Sequence, residues 1–149
     1  MAMVNAAGFI METSRTLRKD IIEKELSYQL VGIFFHVQEQ LGRYCREIQY
    51  CDALEQELKI RKIQYQREYS IPVAGRLSNR IDFLIAARVI VDVKAKPFVE
   101  REDYDQMRRY LQSANVKLGM IVNFRNKFLL PKRVLNPAYE PHSHNSHLP

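Results

Sequence analysis

Cysteine is scarce in this chain: Cys45 and Cys51 are its only two, six residues apart. Both fall in one expected helix, where a rise of about 1.5 Å per residue places them badly for a bridge. A disulfide framework is therefore excluded, and two reduced thiols in a cytoplasmic protein are expected. The body of the chain also lacks cysteines or histidines at ligand spacing, which argues against a structural zinc site. No apolar run approaches the roughly 20 residues of a membrane span. Residues 1–11 lack a basic leader followed by a long apolar core, so no secretory signal is expected. Glycine is sparse and no internal repeat is visible.

What is present is an ordinary globular composition on 149 residues, enough for one domain with a real core. The net charge of +6 leans toward a polyanionic partner.

Residues 1–22 carry no sustained period and read as a loose lead-in to a domain over 23–136. From about Glu23 to Gln40, apolar residues fall at Leu26, Leu30, Ile33, Phe34, Val37 and Leu41, the spacing of a helix with one buried stripe, ended by Gly42. A second helix is expected from about Cys45 to Arg61. Strand-like residues follow from Ile63 to Val73, broken by Pro72 and a turn at Gly75. A β-hairpin comes next, then a third helix over Glu100–Ala114 that buries Tyr104, Met107, Leu111 and Ala114. Lys117 to Phe124 is a nearly continuous apolar run, as in a strand covered on both faces. A last strand includes Arg133 to Leu135. The tail, 137–149, holds three of the four histidines among Pro, Ser and Asn and reads as disordered; it could scavenge Zn²⁺ or Ni²⁺. The order predicts an α/β sandwich with a mixed sheet, antiparallel at the hairpin and crossing over through the third helix.

The hairpin carries charge where a buried strand should have none. Ile81, Phe83 and Ile85 alternate with Arg80, Asp82 and Leu84; Val89, Val91 and Val93 alternate with Ile90, Asp92 and Lys94. With Ala86-Ala87-Arg88 as the loop, Asp82 faces Asp92 on one side of the sheet, and Lys94 follows two residues on. Directly opposed Cβ atoms lie about 4.5–5.5 Å apart, where like charges repel. Two carboxylates so placed call for a cation between them. A cross-strand ion pair between Asp82 and Lys94 accounts for two of these charges but leaves Asp92 poorly placed.

Glu47 is a third acid of interest. At 100° per residue, Cys51 lies about 40° to one side of it, with Leu54 and Leu58 each about 20° away, so Glu47 is near the middle of an apolar stripe with Tyr50 on the same side. Two readings stand: a first-turn carboxylate favoured by the helix dipole, or an acid pointed at the sheet.

The segments Leu26 to Gly32, Leu41-Gly42, Glu47 to Tyr50, Arg80-Ile81-Asp82, Asp92-Val93-Lys94, Gln106 to Leu111 and Leu118 to Phe124 stand in one order. In that order the chain resembles the GxxExxY family of the PD-(D/E)XK nuclease superfamily, over about residues 24–136. Glu47 and Tyr50 supply two of the naming residues, whereas Tyr44 stands in place of the glycine. Asp92 replaces the family's usual Glu, and Asp103 stands where the family has a histidine. The resemblance implies a restriction-endonuclease-like αβββαβ core, three-layered around a mixed sheet, and hydrolysis of phosphodiester bonds in DNA, with RNA as the lesser choice.

Under that resemblance, Asp82, Asp92, the Val93 carbonyl and Glu47 hold Mg²⁺, or Mn²⁺ as a substitute, through hard oxygen ligands. Lys94 orients or deprotonates the attacking water, or stabilises charge on the phosphate. Gln106 and Tyr110, four apart, share a helix face distinct from that of Met107 and Leu111; it serves substrate or is simply solvated. Scattered basic residues, Lys59 to Arg67 with Tyr65 and Tyr69 interleaved and again Arg125 to Arg133, suit phosphate contacts without base reading, or merely a basic surface. The other functional class left open is a catalytically silent nucleic-acid-binding or protein-interaction module on the same fold.

Overall fold

The computed structural model describes residues 24–73 and 76–141, and side chains outside 73–79. The lead-in, the Gly75 turn and the histidines of the tail lie outside the described residues. Helix α1 covers 24–41. It is followed by α2 (Glu47–Ile60), β1 (Tyr65–Val73), β2 (Arg76–Ile85), β3 (Val89–Lys94), α3 (Arg101–Ala114), β4 (Leu118–Asn123) and β5 (Lys132–Leu135). Five strands form one mixed sheet in the order β1-β2-β3-β4-β5. Only β3 and β4 run parallel, and α3 is the crossover between them. No helix among the described residues is long and apolar enough to cross a membrane.

Local chemistry explains the element ends. Gly42 takes φ 75° and its N–H bonds the Gln38 carbonyl at 2.7 Å, closing α1 with a left-handed residue. Pro72 has no N–H to give a ladder, and the β1–β2 register shifts between Ile71 and Pro72 on a strand at the sheet edge. Ala86 and Ala87 both hold positive φ (51° and 55°), and Arg88 N–H donates to Ile85 O at 2.9 Å. That turn fixes the hairpin register at Ile85↔Val89, Leu84↔Ile90 and Phe83↔Val91, the pairing expected from the sequence.

Helices cover both faces of the sheet. On one side Ile33, Phe34 and Val37 of α1 and Tyr50, Leu54 and Leu58 of α2 pack on Phe83, Val91, Val93, Met120 and Val122. On the other, Met107, Tyr110 and Leu111 of α3 pack on Ile81, Ile90 and Ile121. β3 is therefore apolar on both its faces as far as Asp92. α3 lies so close to β4 that a Cβ on Gly119 would collide with the Met107 thioether.

The buried stripe of α3 differs from the sequence expectation. Asp103, Met107, Tyr110 and Leu111 are its buried residues, while Tyr104 and Ala114 are only half-buried. Those four fall at offsets of zero, four, seven and eight, a regular helical face. Tyr110 thus shares the core face with Met107 and Leu111 rather than a separate wet one. The charge on Asp103 disguised the stripe: it is tolerated inside only because lysines from the β3 exit meet it.

Candidate active site

The site lies where β2 and β3 part. Their ladder ends at Phe83↔Val91, and beyond it the Asp82 side chain takes over, Oδ2 accepting the Val93 N–H at 2.7 Å. In the β1–β2 ladder Arg67 pairs with Phe83 and Tyr69 with Ile81, and Glu68 between them is skipped, with φ 53°. Ile81 and Phe83 correspondingly join different apolar clusters. The simple alternation expected for β2 breaks at Asp82, and the break turns its carboxylate toward β3.

Asp92 is buried, with 7% of its surface exposed. Burial pushes its carboxyl up to about 7; Lys94 opposes this and the neighbouring Asp82 adds to it. Burial also raises Asp82, against the lowering effect of the Val93 N–H and of the hydrogen bond it shares with Asp92. Two carboxylates in contact inside a protein cannot both ionise freely unless positive charge joins them. Lys94 supplies part of it, with Nζ 3.1 Å from Asp92 Oδ2. Burial works against the Lys94 ammonium, yet Asp92, Asp103 and Glu47 outweigh it and hold its pKa above the ordinary value.

Glu47 opens α2 on the exposed side of this group. Its carboxyl is raised by burial, lowered by Lys94 and raised again by Asp92, so it lies within electrostatic reach of both. A groove of about 290 Å³ lined by Glu47, Ile48, Cys51, Arg67, Glu68 and Asp82 leads to the pair. Glu47 thus combines a first-turn position on α2 with electrostatic reach of Lys94 and Asp92.

The other singled-out residues divide. Tyr50 is fully buried, stacked on Phe124 with centroids 4.3 Å apart. Its hydroxyl donates to Gly42 O and accepts the Cys45 N–H. It locks the α1–α2 loop, a supporting role, and has no surface to offer substrate. Tyr110 is buried too, its hydroxyl raised first by burial and then by Asp92, which sets it toward the carboxylate pair. Gln106 is half-buried one turn earlier on α3.

Asp103 is the residue that sequence reasoning left without a role. Its Oδ1 is 3.8 Å from Lys94 Nζ, and its Oδ2 is 2.6 Å from Lys96 Nζ. Oδ2 also accepts the Glu100 N–H at 2.8 Å, capping α3. Burial pushes this carboxyl up, but Lys96, the Glu100 N–H and Lys94 outweigh it and hold it below the ordinary range. Its place four residues before Met107, in the first turn after Lys96, was the available signal. Asn123 completes the support: its Nδ2 donates to Lys96 O at 2.7 Å and its Oδ1 accepts the Lys96 N–H at 3.2 Å.

Hard oxygen donors at Asp82 and Asp92, short of positive charge, suit a divalent cation by their chemistry. Among the described residues no group of three or more acidic, histidine or cysteine side chains is set to hold a metal ion. The expected three-carboxylate cluster is instead a two-carboxylate centre with Glu47 at its margin. Lys94 and the Val93 N–H each engage one oxygen, Oδ2, of Asp92 and Asp82, and Glu47 stands exposed at the start of α2.

No curated protein and no solved structure matches the chain. A family model described as the PD-(D/E)XK nuclease superfamily matches residues 24–134. That span takes in Glu47, Asp82, Asp92, Lys94 and Asp103, and the α/β architecture with its five-stranded mixed sheet is consistent with a restriction-endonuclease-like fold. The chain belongs to the PD-(D/E)XK nuclease superfamily.

Proposed function

We propose that this protein is a divalent-metal-dependent nuclease that hydrolyses phosphodiester bonds of DNA, with RNA the lesser substrate, and that it is of the GxxExxY kind. The observation that carries this reading is the meeting of Asp82, Asp92 and Lys94 at the fork between β2 and β3. Asp82 and Asp92 would hold Mg²⁺, with Mn²⁺ as a substitute. Glu47 would join directly or through water, and the Val93 carbonyl is a further oxygen donor at the same place. Bound there, the ion would neutralise phosphate charge and make a water more acidic.

The rest falls to the protein's own groups. Lys94 keeps an ammonium beside the carboxylates, able to orient the attacking water or to meet negative charge on the phosphate. Asp103, itself paired with Lys96, faces that ammonium from the α3 side. Tyr110 closes the inner wall.

A second reading, a nucleic-acid-binding module that has lost hydrolysis, has one observation in its favour: the net charge of +6 suits a polyanionic partner with or without cutting. Incubation of plasmid and linear DNA with Mg²⁺ or Mn²⁺ decides between them. Wild type is expected to cut, chelator to stop it, and Asp92→Asn and Lys94→Ala each to lower the rate at least about a hundredfold. Salt-sensitive DNA binding without cutting by wild type would establish the second reading instead.

A further inference from the structure

Three loops gather at the ends of β3 and β4 that carry the site. The α1–α2 loop and the β4 exit are tied reciprocally: Arg43 Nε donates to Arg125 O at 2.9 Å, and Arg125 Nε donates to Arg43 O at 3.0 Å. Arg125 Nη2 also reaches Ala95 O at 3.3 Å, next to Lys94. Both guanidiniums lie over the Tyr44 ring, with their carbons 5.4 and 5.5 Å from its centroid. Tyr44 is nonetheless 77% exposed, so much of the ring stays open to solvent beside the guanidiniums. Phe98 on the β3–α3 loop and Phe128 on the β4–β5 loop are exposed as well, at 76% and 82%, and Lys127 lies over the Phe128 ring.

An exposed aromatic of this size costs solvation and adds nothing to the core. The two fixed guanidiniums give it a chemical meaning. A flat π-face beside two anchored cations offers stacking to a base and charge to the phosphates on either side of it. A base paired inside a duplex cannot lie on such a ring, whereas an unpaired base can. We infer that Tyr44, together with Arg43 and Arg125, is a stacking platform for single-stranded nucleic acid beside the Asp82/Asp92/Lys94 centre. This rests on the nuclease reading for its biological sense and adds to it the strand state of the substrate.

Binding in chelator tests it apart from hydrolysis. Fluorescence anisotropy of labelled 20-nucleotide single strands and of the matching duplex would be measured on wild type, Tyr44→Ala and Tyr44→Phe. Single strand is expected to bind more tightly than duplex. Tyr44→Ala is expected to weaken single-strand binding by about tenfold, the loss of roughly one stacked base, and to leave duplex binding unchanged. Tyr44→Phe, which keeps the ring, is expected to match wild type. Tighter duplex binding, or a Tyr44→Ala effect that is absent or equal on both forms, overturns the inference. Because Tyr44 is exposed, the alanine variant should keep the wild-type melting temperature, which excludes misfolding as the cause of lost binding. No metal or cutting enters the measurement, so its failure leaves the hydrolysis proposal standing, and an inactive wild type leaves the stacking result intact.

Discussion

Asp92 is held in the folded chain against its own charge. Its carboxyl moves from an ordinary 3.8 to about 7, driven first by burial, so the folded state prefers it protonated. The sign follows directly: stability from this group is full below the ordinary value, falls as pH rises through the window, and is gone above about 7. The slope is at most about 1.4 kcal/mol per pH unit. Asn is the neutral isostere and does not titrate. Asp92→Asn, in chelator, should therefore be more stable than wild type at pH 8, by on the order of 1 kcal/mol. Lys94 keeps Asp103 as a partner, which limits the loss of the 3.1 Å pair. Urea melts at several pH values should show the gap closing toward pH 5. A variant clearly less stable at pH 8 would make Asp92 a structural ion-pair partner instead.

At the scale of elements, the hairpin places the acids and was legible because strand side chains alternate with a period of two. Apolar Phe83 and Ile85 on one strand and Val89 and Val91 on the other exclude a one-residue slip, the Ala86-Ala87-Arg88 loop selects the register, and the structure has it. The turn itself is less than ideal. Two alanines hold left-handed backbone, at a steric cost of about 1–2 kcal/mol each, where Asn-Gly is the favoured pair. Ala86→Asn combined with Ala87→Gly should raise stability by about 1 kcal/mol, read as a higher melting temperature, without changing metal or DNA binding. Other features were hidden from sequence. The turn of Asp82 toward β3 coincides with a left-handed Glu68 left unpaired across the ladder, and no pattern in β2 announces it. The α3 stripe was misplaced because a hydropathy pattern scores Asp103 as a surface residue. Its lysine partners come from another element, and their approach is a tertiary fact.

Over the whole molecule, the sheet acts as a frame that brings distant residues to one end. β2 contributes Asp82, β3 contributes Asp92 and Lys94, α2 contributes Glu47 and α3 contributes Asp103. Arg125, Asn123 and Gln38 tie the surrounding loops through backbone carbonyls, including Gln38 Nε2 to Phe124 O at 3.0 Å and Asn126 O at 2.8 Å. The order of these elements was readable from periodicity and turn residues alone. Their convergence was readable only in part: Asp92 and Lys94 share a face by strand alternation, whereas the turn of Asp82 toward β3, Asp103 and the buried place of Tyr50 required packing. The measurement nearest the core of this account is a calorimetric titration of Mg²⁺, and then Mn²⁺, into wild type and Asp92→Asn at pH 7.5. Wild type should bind with a saturable heat that Asp92→Asn loses while keeping its fold; equal binding by both proteins would contradict a cation centre built on the Asp82/Asp92 pair.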